Sequence, residues 1–162
     1  MITGAVYSPD LRHRYTLIRE LGSGPTVCVI MANPSTATDE KDDPTIRKVQ
    51  GFGRVHGWGR ILIGNLFALR STDIRGLSKV DDPIGPLNNE WLAQMMKLSE
   101  MTVFAWGNNS KFPREHQGRW LDVSMMAHEL NVSPYCIGRV SSGHPRHPLM
   151  TRYDTPLLPW RP

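Results

Sequence analysis

The chain has 162 residues, of which 40% are hydrophobic and 21% charged, with a formal net charge of +4 and a pI near 9.3. This length and composition favour one domain over residues 1–162, large enough to need no disulfide or structural metal. No stretch approaches the ~18 apolar residues of a membrane span, and the N-terminus lacks a basic region followed by an apolar core. We therefore expect a cytoplasmic protein that has no membrane partner.

Positive charge is concentrated in the C-terminal part of the chain. Residues 33–100 carry nine Lys or Arg and nine Asp or Glu, whereas residues 101–162 carry seven basic and four acidic residues. A basic surface attracts a polyanion, although a solvated basic face without any partner has the same composition. Composition alone does not distinguish a surface that binds a polyanion from a solvated basic face.

The first half of the chain predicts two strands and a helix. Residues 14–21 alternate loosely and predict an edge strand, and 26–32 form a continuous apolar run typical of a strand buried on both faces. A helix is predicted over 44–57, with Asp43 as its N-cap and Gly57 at its end. Its predicted inward face consists of Ile46, Val49 and Phe52 or Gly53.

The second half continues the alternation of strands and helices. The predicted elements are a strand over 60–65, a long loop over 66–86, a helix over 87–100, a strand over 101–106, a helix over 114–130 and a strand over 133–137. The two helices are expected to face inward through Leu87, Trp91, Met95 and Leu98, and through Trp120, Val123, Ala127 and Leu130. This order predicts an α/β fold of three layers, with a mainly parallel sheet of four to five strands and helices on both faces.

The two cysteines, Cys28 and Cys136, both fall in apolar stretches predicted as strands. Small apolar thiols in such positions are typical of a reducing compartment. We expect buried free cysteines, and a disulfide or a metal-binding pair is the alternative.

Polar residues follow the predicted strands at the end where open α/β sheets bind their ligands. Asn33-Pro34 can begin a turn or can hold a water or a ligand carbonyl, but an amide is not a strong base. Asn65 either satisfies the loop backbone or reads a ligand such as a base edge. Trp106-Gly107 ends the third buried strand in a similar way.

The segment 141–149 contains His144 and His147 and is stiffened by two prolines. A histidine held there can donate a hydrogen bond to developing negative charge, and Gly143 with its neighbouring serines permits close approach of a phosphate. A surface loop with incidental histidines is the alternative.

An acidic run precedes the first predicted helix and consists of Asp39, Glu40, Asp42 and Asp43. Such a run can coordinate a divalent metal, but it is more typical of a helix cap and a solvated loop. The chain has no CxxC, HExxH or GxSxG motif and no supported dinucleotide fingerprint. We expect neither a metal nor another cofactor.

Taken together, five segments resemble an uncharacterised bacterial and phage family known as domain-of-unknown-function family 1643. The segments are Met31–Ala37, Asp43–Thr45, Asn65–Asp73, Ala105–Gly107 and His147–Leu149. They are distributed over nearly the whole chain.

A more distant resemblance is to the uracil-DNA glycosylase superfamily, a parallel α/β sheet whose four motifs follow the same order. The first motif positions a water at the sugar, the second reads the flipped base, a later strand ends in Trp-Gly, and the last stabilises the departing base. The similar segments here are Asn33-Pro34, Ile63–Asn65 with Phe67–Arg70, Ala105–Gly107, and either His147–Leu149 or His144-Pro145.

This resemblance implies catalytic roles for Asn33, which would hold the water, and for His147 or His144, which would stabilise the leaving group. The implied base- or ligand-binding residues are Pro34, Ser35, Thr36, Asn65, Phe67, Arg70, Trp106 and Gly107. The residues implied to bind nucleic acid are Ser141, Ser142, Gly143, Arg146 and Leu149, with Leu149 or Arg146 entering the duplex or contacting phosphate. Such enzymes extract the base from the stack, which costs a few kcal/mol.

The expected function is recognition of a nucleobase in DNA or a nucleotide, with metal-free hydrolysis of the N-glycosidic bond of uracil or a modified pyrimidine. Asn33 stands where the fastest glycosylases have an aspartate, so the reaction is expected to be slow. In addition, no aromatic residue directly follows Pro34 to exclude thymine. The mechanism requires Asn33, Asn65 and His147 to converge on one pocket.

Three alternatives remain open from the sequence. The first is a binding module that recognises a base or nucleotide without cleaving it. The second is an enzyme of free nucleotide or modified-base metabolism, with a closed small-molecule pocket and weak DNA affinity. The third is a metal-dependent hydrolase that uses Asp39, Asp42 or Asp43.

Overall fold

The computed structural model describes residues 4–162, which form one seven-stranded sheet with helices on both faces. The strands are β1 (Gly4–Tyr7), β2 (Arg14–Glu20), β3 (Thr26–Met31), β4 (Arg60–Asn65), β5 (Met101–Phe104), β6 (Tyr135–Ile137) and β7 (Leu157–Pro159). The α-helices are α1 (Pro44–His56), α2 (Asn88–Leu98) and α3 (Arg119–Glu129). Short 3-10 helices cover Ile74–Lys79, Asn109–Lys111, Arg114–His116 and Pro148–Met150. Within residues 4–162, no helix combines the length and the apolar character needed to cross a bilayer.

The sheet is larger and more mixed than predicted. The strand order is β1-β2-β4-β3-β5-β6-β7, in which the central strands β4, β3, β5 and β6 run parallel. The outer strands β1, β2 and β7 pair antiparallel to their neighbours. The α/β class and the parallel centre are as expected, whereas the expectation of four to five strands is wrong because short antiparallel strands extend both sides.

Strand β2 is not the edge strand that its loose alternation predicts. It pairs with β4 on one side and with β1 on the other, so its backbone is bonded along both sides. Arg14 and Arg19 lie in this strand and are both buried. The two arginines give the strand its polar appearance in the sequence, although it lies inside the sheet.

The direction of the chain reverses between β3 and β5. From β3 the chain passes through α1 to β4 on one side, and then through α2 to β5 on the other side of β3. The carboxyl ends of β3 and β5 therefore lie side by side, with their connections leading in opposite directions. Open α/β sheets form a ligand-binding crevice at such a point.

Helix α1 begins and ends at the residues that the sequence indicates. The Asp43 side chain accepts a hydrogen bond from the Ile46 N–H at 2.9 Å, and Pro44 occupies the first turn, where its missing N–H group is not needed. Gly57 closes the helix with φ of 73°, a left-handed conformation that glycine adopts without a steric penalty.

The helices cover the two faces of the sheet with separate hydrophobic clusters. Helix α1 packs its predicted residues Ile46, Val49 and Phe52 against one face, whereas α2 and α3 pack against the other. The inward face predicted for α2 is largely wrong, because Leu87 and Leu98 are exposed. The buried residues of α2 are Asn88, Leu92, Met95 and Met96.

The C-terminal third contains the other departures from the predicted elements. Helix α3 begins at Arg119, because Gly118 precedes it and a separate 3-10 turn occupies residues 114–116. The proline-rich tail, predicted as loop, contributes β7 to the sheet. Cys28 and Cys136 are buried free thiols, as expected, and burial raises the pKa of Cys28 to about 12.

Replacement of Asp43 by alanine should destabilise the fold by about 2–3 kcal/mol. The change removes the cap of α1, worth about 1 kcal/mol, and leaves the Ala37 N–H, which also donates to Asp43, without its acceptor. Urea denaturation monitored by circular dichroism measures the difference.

Asp39→Ala is the matched control, because Asp39 is an exposed residue of the same acidic run, and its replacement should change stability by less than about 0.5 kcal/mol. Equal losses in the two variants would contradict the capping role of Asp43.

Candidate functional site

A cleft of about 370 Å³ lies where the carboxyl ends of β3 and β5 meet the loop that follows β6. The end of β3 contributes Asn33, and the end of β5 contributes Trp106 and Gly107. The later loop contributes His147 and Leu149 from the region of its 3-10 helix. We call this the main cleft, and it lies where the reversal of chain direction predicts a binding crevice.

The orientation of the Asn33 side chain is fixed by two backbone carbonyls. Its Nδ2 donates to the Ser71 carbonyl at 2.8 Å and to the Pro34 carbonyl at 3.1 Å. Because both partners are acceptors, the NH₂ group must face them and the Oδ1 atom must lie on the opposite side. Oδ1 forms no hydrogen bond with another described residue, so Asn33 supplies the cleft with an oriented acceptor.

His147 supplies a donor to the same cleft. Its Nδ1 accepts a hydrogen bond from the Leu149 N–H at 3.2 Å, which requires that Nδ1 carry no proton. In the neutral ring the proton therefore lies on Nε2, which makes no hydrogen bond with another residue of the described chain. The ring is a neutral donor for any ligand that reaches it.

The surroundings of His147 keep its ring uncharged. Burial is the main cause that lowers the pKa of His147 below its ordinary value, and the nearby cation of Lys111 lowers it further. The carboxylate of Asp43 acts in the opposite direction, more weakly than burial does. At neutral pH the imidazole therefore donates through Nε2–H without carrying a positive charge.

Gly107 connects the end of β5 to the loop that holds His147. Its N–H donates to the Pro145 carbonyl at 2.9 Å, and its φ is 83°. A Cβ atom at Gly107 would lie 3.2 Å from the Cβ of His147, which is tighter than ordinary packing. Thr151 holds the other side, since its hydroxyl donates to the His147 carbonyl at 2.7 Å. These contacts place the imidazole beside Asn33.

The structure separates the two candidate histidines. His147 lines the main cleft, whereas His144 does not. The His144 Nδ1 accepts from the Trp106 Nε1–H at 3.3 Å, and its ring lies edge-on to Trp120. Burial lowers the pKa of His144, so it too favours the neutral form. Its contacts belong to an aromatic cluster behind the cleft wall.

Asn65 does not line the main cleft with Asn33 and His147, although the glycosylase resemblance requires all three to converge there. It is buried at the end of β4, and neither amide atom has a hydrogen-bond partner within the described residues. Asn65 does not line the second, smaller pocket either, although Met31, its neighbour in the register of β3 and β4, does. Two of the three expected side chains therefore converge on the main cleft, and the third does not.

The other predicted ligand-binding residues are dispersed. Pro34 is buried and binds the Ser71 N–H through its carbonyl, and Thr36 is exposed away from both pockets. Phe67 is a core residue that packs against Phe112 and His116. Arg70 binds the Leu11 carbonyl and lies over the Tyr7 ring. Of this predicted group, Trp106 and Gly107 line the main cleft and Ser35 lines the smaller pocket.

The predicted nucleic-acid-binding residues divide into two sets. Arg146 and Leu149 are exposed and line the main cleft. Ser141, Ser142 and Gly143 form the tip of a tight turn, closed by the hydrogen bond from the Gly143 N–H to the Val140 carbonyl, and do not reach it.

Eight residues that line the main cleft were not predicted from the sequence, namely Ala32, Ile74, Asn108, Lys111, Phe112, Val140, Met150 and Thr151. Lys111 adds a cation, Asn108 an amide, and Phe112 an apolar wall, while the side chain of Met150 is 89% exposed at the rim. Asn108 directly follows Trp106-Gly107, so the rule of polar strand ends could have included it. Lys111 and Met150 lie on short 3-10 helices that have no clear sequence signal, and Phe112 directly follows the first of them.

The smaller pocket has a volume of about 210 Å³ and adjoins the main cleft, since Asn33 and His147 line both. Its other lining residues include Arg14, Asp43 and several hydroxyl-bearing side chains. Burial lowers the pKa of Arg14 to about 10, which leaves the guanidinium charged at neutral pH. Arg14 was not singled out in the sequence.

The acidic run is engaged in structural contacts. Asp42 forms an ion pair with Arg19 at 2.8 Å and accepts from Gln50, while Asp43 caps α1. Within residues 4–162, no group of three His, Cys, Asp or Glu side chains is placed to hold a metal ion. These two carboxylates already have protein donors as partners.

Comparison with known proteins agrees with the pattern of motifs. A model of the family described as "Protein of unknown function (DUF1643)" matches residues 14–149. The chain belongs to the DUF1643 family. The matched range includes β2 through the loop that carries His147, so both Asn33 and His147 lie within the DUF1643 region. No curated protein and no solved structure matches the chain.

The tautomer and charge of His147 can be measured directly. Nitrogen-15 NMR of the imidazole should show the proton on Nε2 and a pKa below the ordinary histidine value. Lys111→Met should raise that pKa, because it removes a cation that disfavours the charged ring.

Lys97→Met is the control, since Lys97 is exposed on α2 and is not a cause of the His147 shift. A proton on Nδ1, or an identical His147 pKa in the Lys111 and Lys97 variants, would contradict the site geometry.

Proposed function

We propose that the main cleft binds a nucleobase and that the protein acts on nucleic acid by hydrolysing the N-glycosidic bond of uracil or a modified pyrimidine. The observation that carries this proposal is the pairing of one oriented acceptor with one oriented neutral donor. Asn33 and His147 line the same cleft, and their backbone hydrogen bonds leave Asn33 Oδ1 and His147 Nε2–H without a partner among the described residues.

These two groups suit the hydrolysis of a glycosidic bond that breaks before the water attacks. The bond between C1′ and the base nitrogen breaks, and its electron pair leaves with the base as an anion. His147 Nε2–H donates a hydrogen bond to the oxygen of that anion. A water held by Asn33 Oδ1 adds to C1′ and loses one proton to the solvent, and the departing base anion takes up one proton from the solvent. The products are the free base and an abasic sugar.

The walls of the cleft fit a planar heterocycle attached to a charged strand. Trp106 and Phe112 supply apolar ring surface, and the volume of about 370 Å³ falls within the usual range of about 300–1,000 Å³ for small-ligand sites. Lys111 and Arg146 place two cations at the cleft, and no carboxylate is among its lining residues within the described chain. This charge favours a ligand that carries phosphates.

The resemblance to uracil-DNA glycosylases adds support at some positions and not at others. The order of motifs along the parallel strands, the Asn33 loop and the His147 segment agree with it. The expected reader of the base, Asn65, is buried away from the cleft, so we assign that role to Asn108. Both the glycosylase-like fold and the glycosylase activity are therefore parts of this proposal.

A second candidate is a binding module that recognises the base without cleaving it. The observation that favours it is the absence of a carboxylate from the described lining of the main cleft, since hydrolysis then proceeds without a general base. The two functions share one pocket and differ in turnover.

The test is a single-turnover assay with excess protein on oligonucleotides that contain uracil or 5-substituted pyrimidines. Wild-type protein should form abasic sites slowly, and His147→Ala should reduce the rate by about 10²–10³-fold, because it removes the donor to the leaving group. Asn33→Ala should also reduce it. His128→Ala, an exposed histidine on α3, is the matched control and should retain the wild-type rate.

Abasic sites absent from every substrate would overturn the hydrolysis, and salt-sensitive binding without turnover would then support the binding module. Equal rates for the His147 and His128 variants would place any activity elsewhere.

Binding to the strand should depend on salt through the two cations of the main cleft. Lys111→Gln should weaken binding similarly for all sequences and reduce the slope of log affinity against log salt by about 1. Lys97→Gln should leave the slope unchanged, because Lys97 does not line the cleft. Fluorescence anisotropy with a labelled oligonucleotide at several salt concentrations measures both. An unchanged slope for Lys111→Gln would remove this residue from the interface.

A further inference from the structure

Arg14 is a buried cation with unused donors. Its side chain is 2% exposed and lines the smaller pocket. A guanidinium has five N–H donors, and among the described residues Arg14 uses Nη1 for one bond of 2.7 Å to the Ala37 carbonyl. Its Nε atom is buried without a partner, and Arg14 forms no ion pair with a described residue. Buried charges are normally paired, but here the carboxylate of Asp43 raises the pKa of Arg14 only through space, without a direct hydrogen bond or ion pair.

The smaller pocket is lined by several polar side chains that have no hydrogen-bond partner among the described residues. The hydroxyls of Ser35, Thr45 and Thr72 line it and form no hydrogen bond with another described residue. The carboxylate of Asp43 also lines the pocket, but its two oxygens already accept from the Ile46 and Ala37 N–H groups. Hydroxyl groups can donate or accept, whereas the guanidinium of Arg14 can only donate, so a ligand rich in acceptors can pair with all of these groups.

The start of helix α1 also favours a ligand that is rich in acceptors. Thr45 lies in the first turn of this 13-residue helix and lines the pocket. Pro44 has no N–H group and the Ile46 N–H donates to Asp43, so the remaining N–H of the first turn is that of Thr45. The partial positive charge at this end attracts anions. Combined with the unpaired guanidinium of Arg14, this favours an oxyanion over a neutral acceptor.

We propose that the smaller pocket binds a phosphate group of the ligand whose base occupies the main cleft. Asn33 and His147 line both pockets, so base and phosphate would lie on opposite sides of these two residues. This inference rests on the proposed function for the identity of the base. The phosphate belongs either to a free nucleotide or to the strand beside the recognised base, and both present the same oxyanion to Arg14.

NMR titration of the amide signals tests the pocket with four probes. The probes are inorganic phosphate, 2′-deoxyuridine, 2′-deoxyuridine 5′-monophosphate and a single-stranded oligonucleotide that contains uracil. Inorganic phosphate should shift the signals of Ser35 and Thr45, and the nucleotide should bind about tenfold more tightly than the nucleoside. Tighter binding of the mononucleotide than of the oligonucleotide would identify the free nucleotide as the source, and the reverse would identify the strand.

Arg14→Met should remove the difference in affinity between nucleotide and nucleoside. Arg47→Met is the matched control, since Arg47 is exposed on α1 and does not line the pocket, and it should retain the difference. Arg14 also holds the Ala37 carbonyl, so Thr45→Val provides a second variant that keeps this contact and should reduce the difference about threefold.

Phosphate that causes no shift at Ser35 and Thr45, with equal affinities for nucleotide and nucleoside, would overturn the phosphate site. The proposed function would survive that result if 2′-deoxyuridine still shifted the signals around Trp106 and His147. Phosphate binding without any effect of the base would support the phosphate site and contradict the nucleobase cleft.

Discussion

The hydrogen bond from the Gly107 N–H to the Pro145 carbonyl determines where the candidate site forms. It joins the end of β5 to a loop that follows β6, and it requires a residue with positive φ and no Cβ at position 107. His147 is thereby held at the end of the central strands, beside Asn33 from β3. The Thr151 hydroxyl, which donates to the His147 carbonyl, and the Arg146 N–H, which donates to the Gly138 carbonyl, hold the same loop in place.

The centre of the fold could be predicted because its signals are local. The apolar run of β3, the cap at Asp43 and the glycine at the end of α1 each act within a few residues. The edge strands β1 and β7 could not be predicted in this way, because they are short and gain their partners only in the folded sheet. The inward face of α2 also depends on packing, which buries Leu92 and leaves Leu98 exposed.

The site could be predicted only in part, for a similar reason. Asn33, Trp106 and His147 belong to segments that precede or follow strands, and the strand-end rule brings them together. That rule identifies the end of the sheet and not the direction of each side chain, so it cannot exclude Asn65. The rule also leaves out Arg14, because a charged residue in a loosely alternating strand gives no local sign that it is buried.

The two edges of the sheet have a consequence for self-association. An unpaired strand edge is a template for intermolecular β-pairing, and a long flat edge favours aggregation. Within residues 4–162 the two edge strands are β1, with four residues, and β7, with three residues that end at Pro159. Proline has no N–H group to donate, and such short edges offer little backbone to a neighbouring molecule. The outer strands thus discourage fibre-like growth of one molecule upon another.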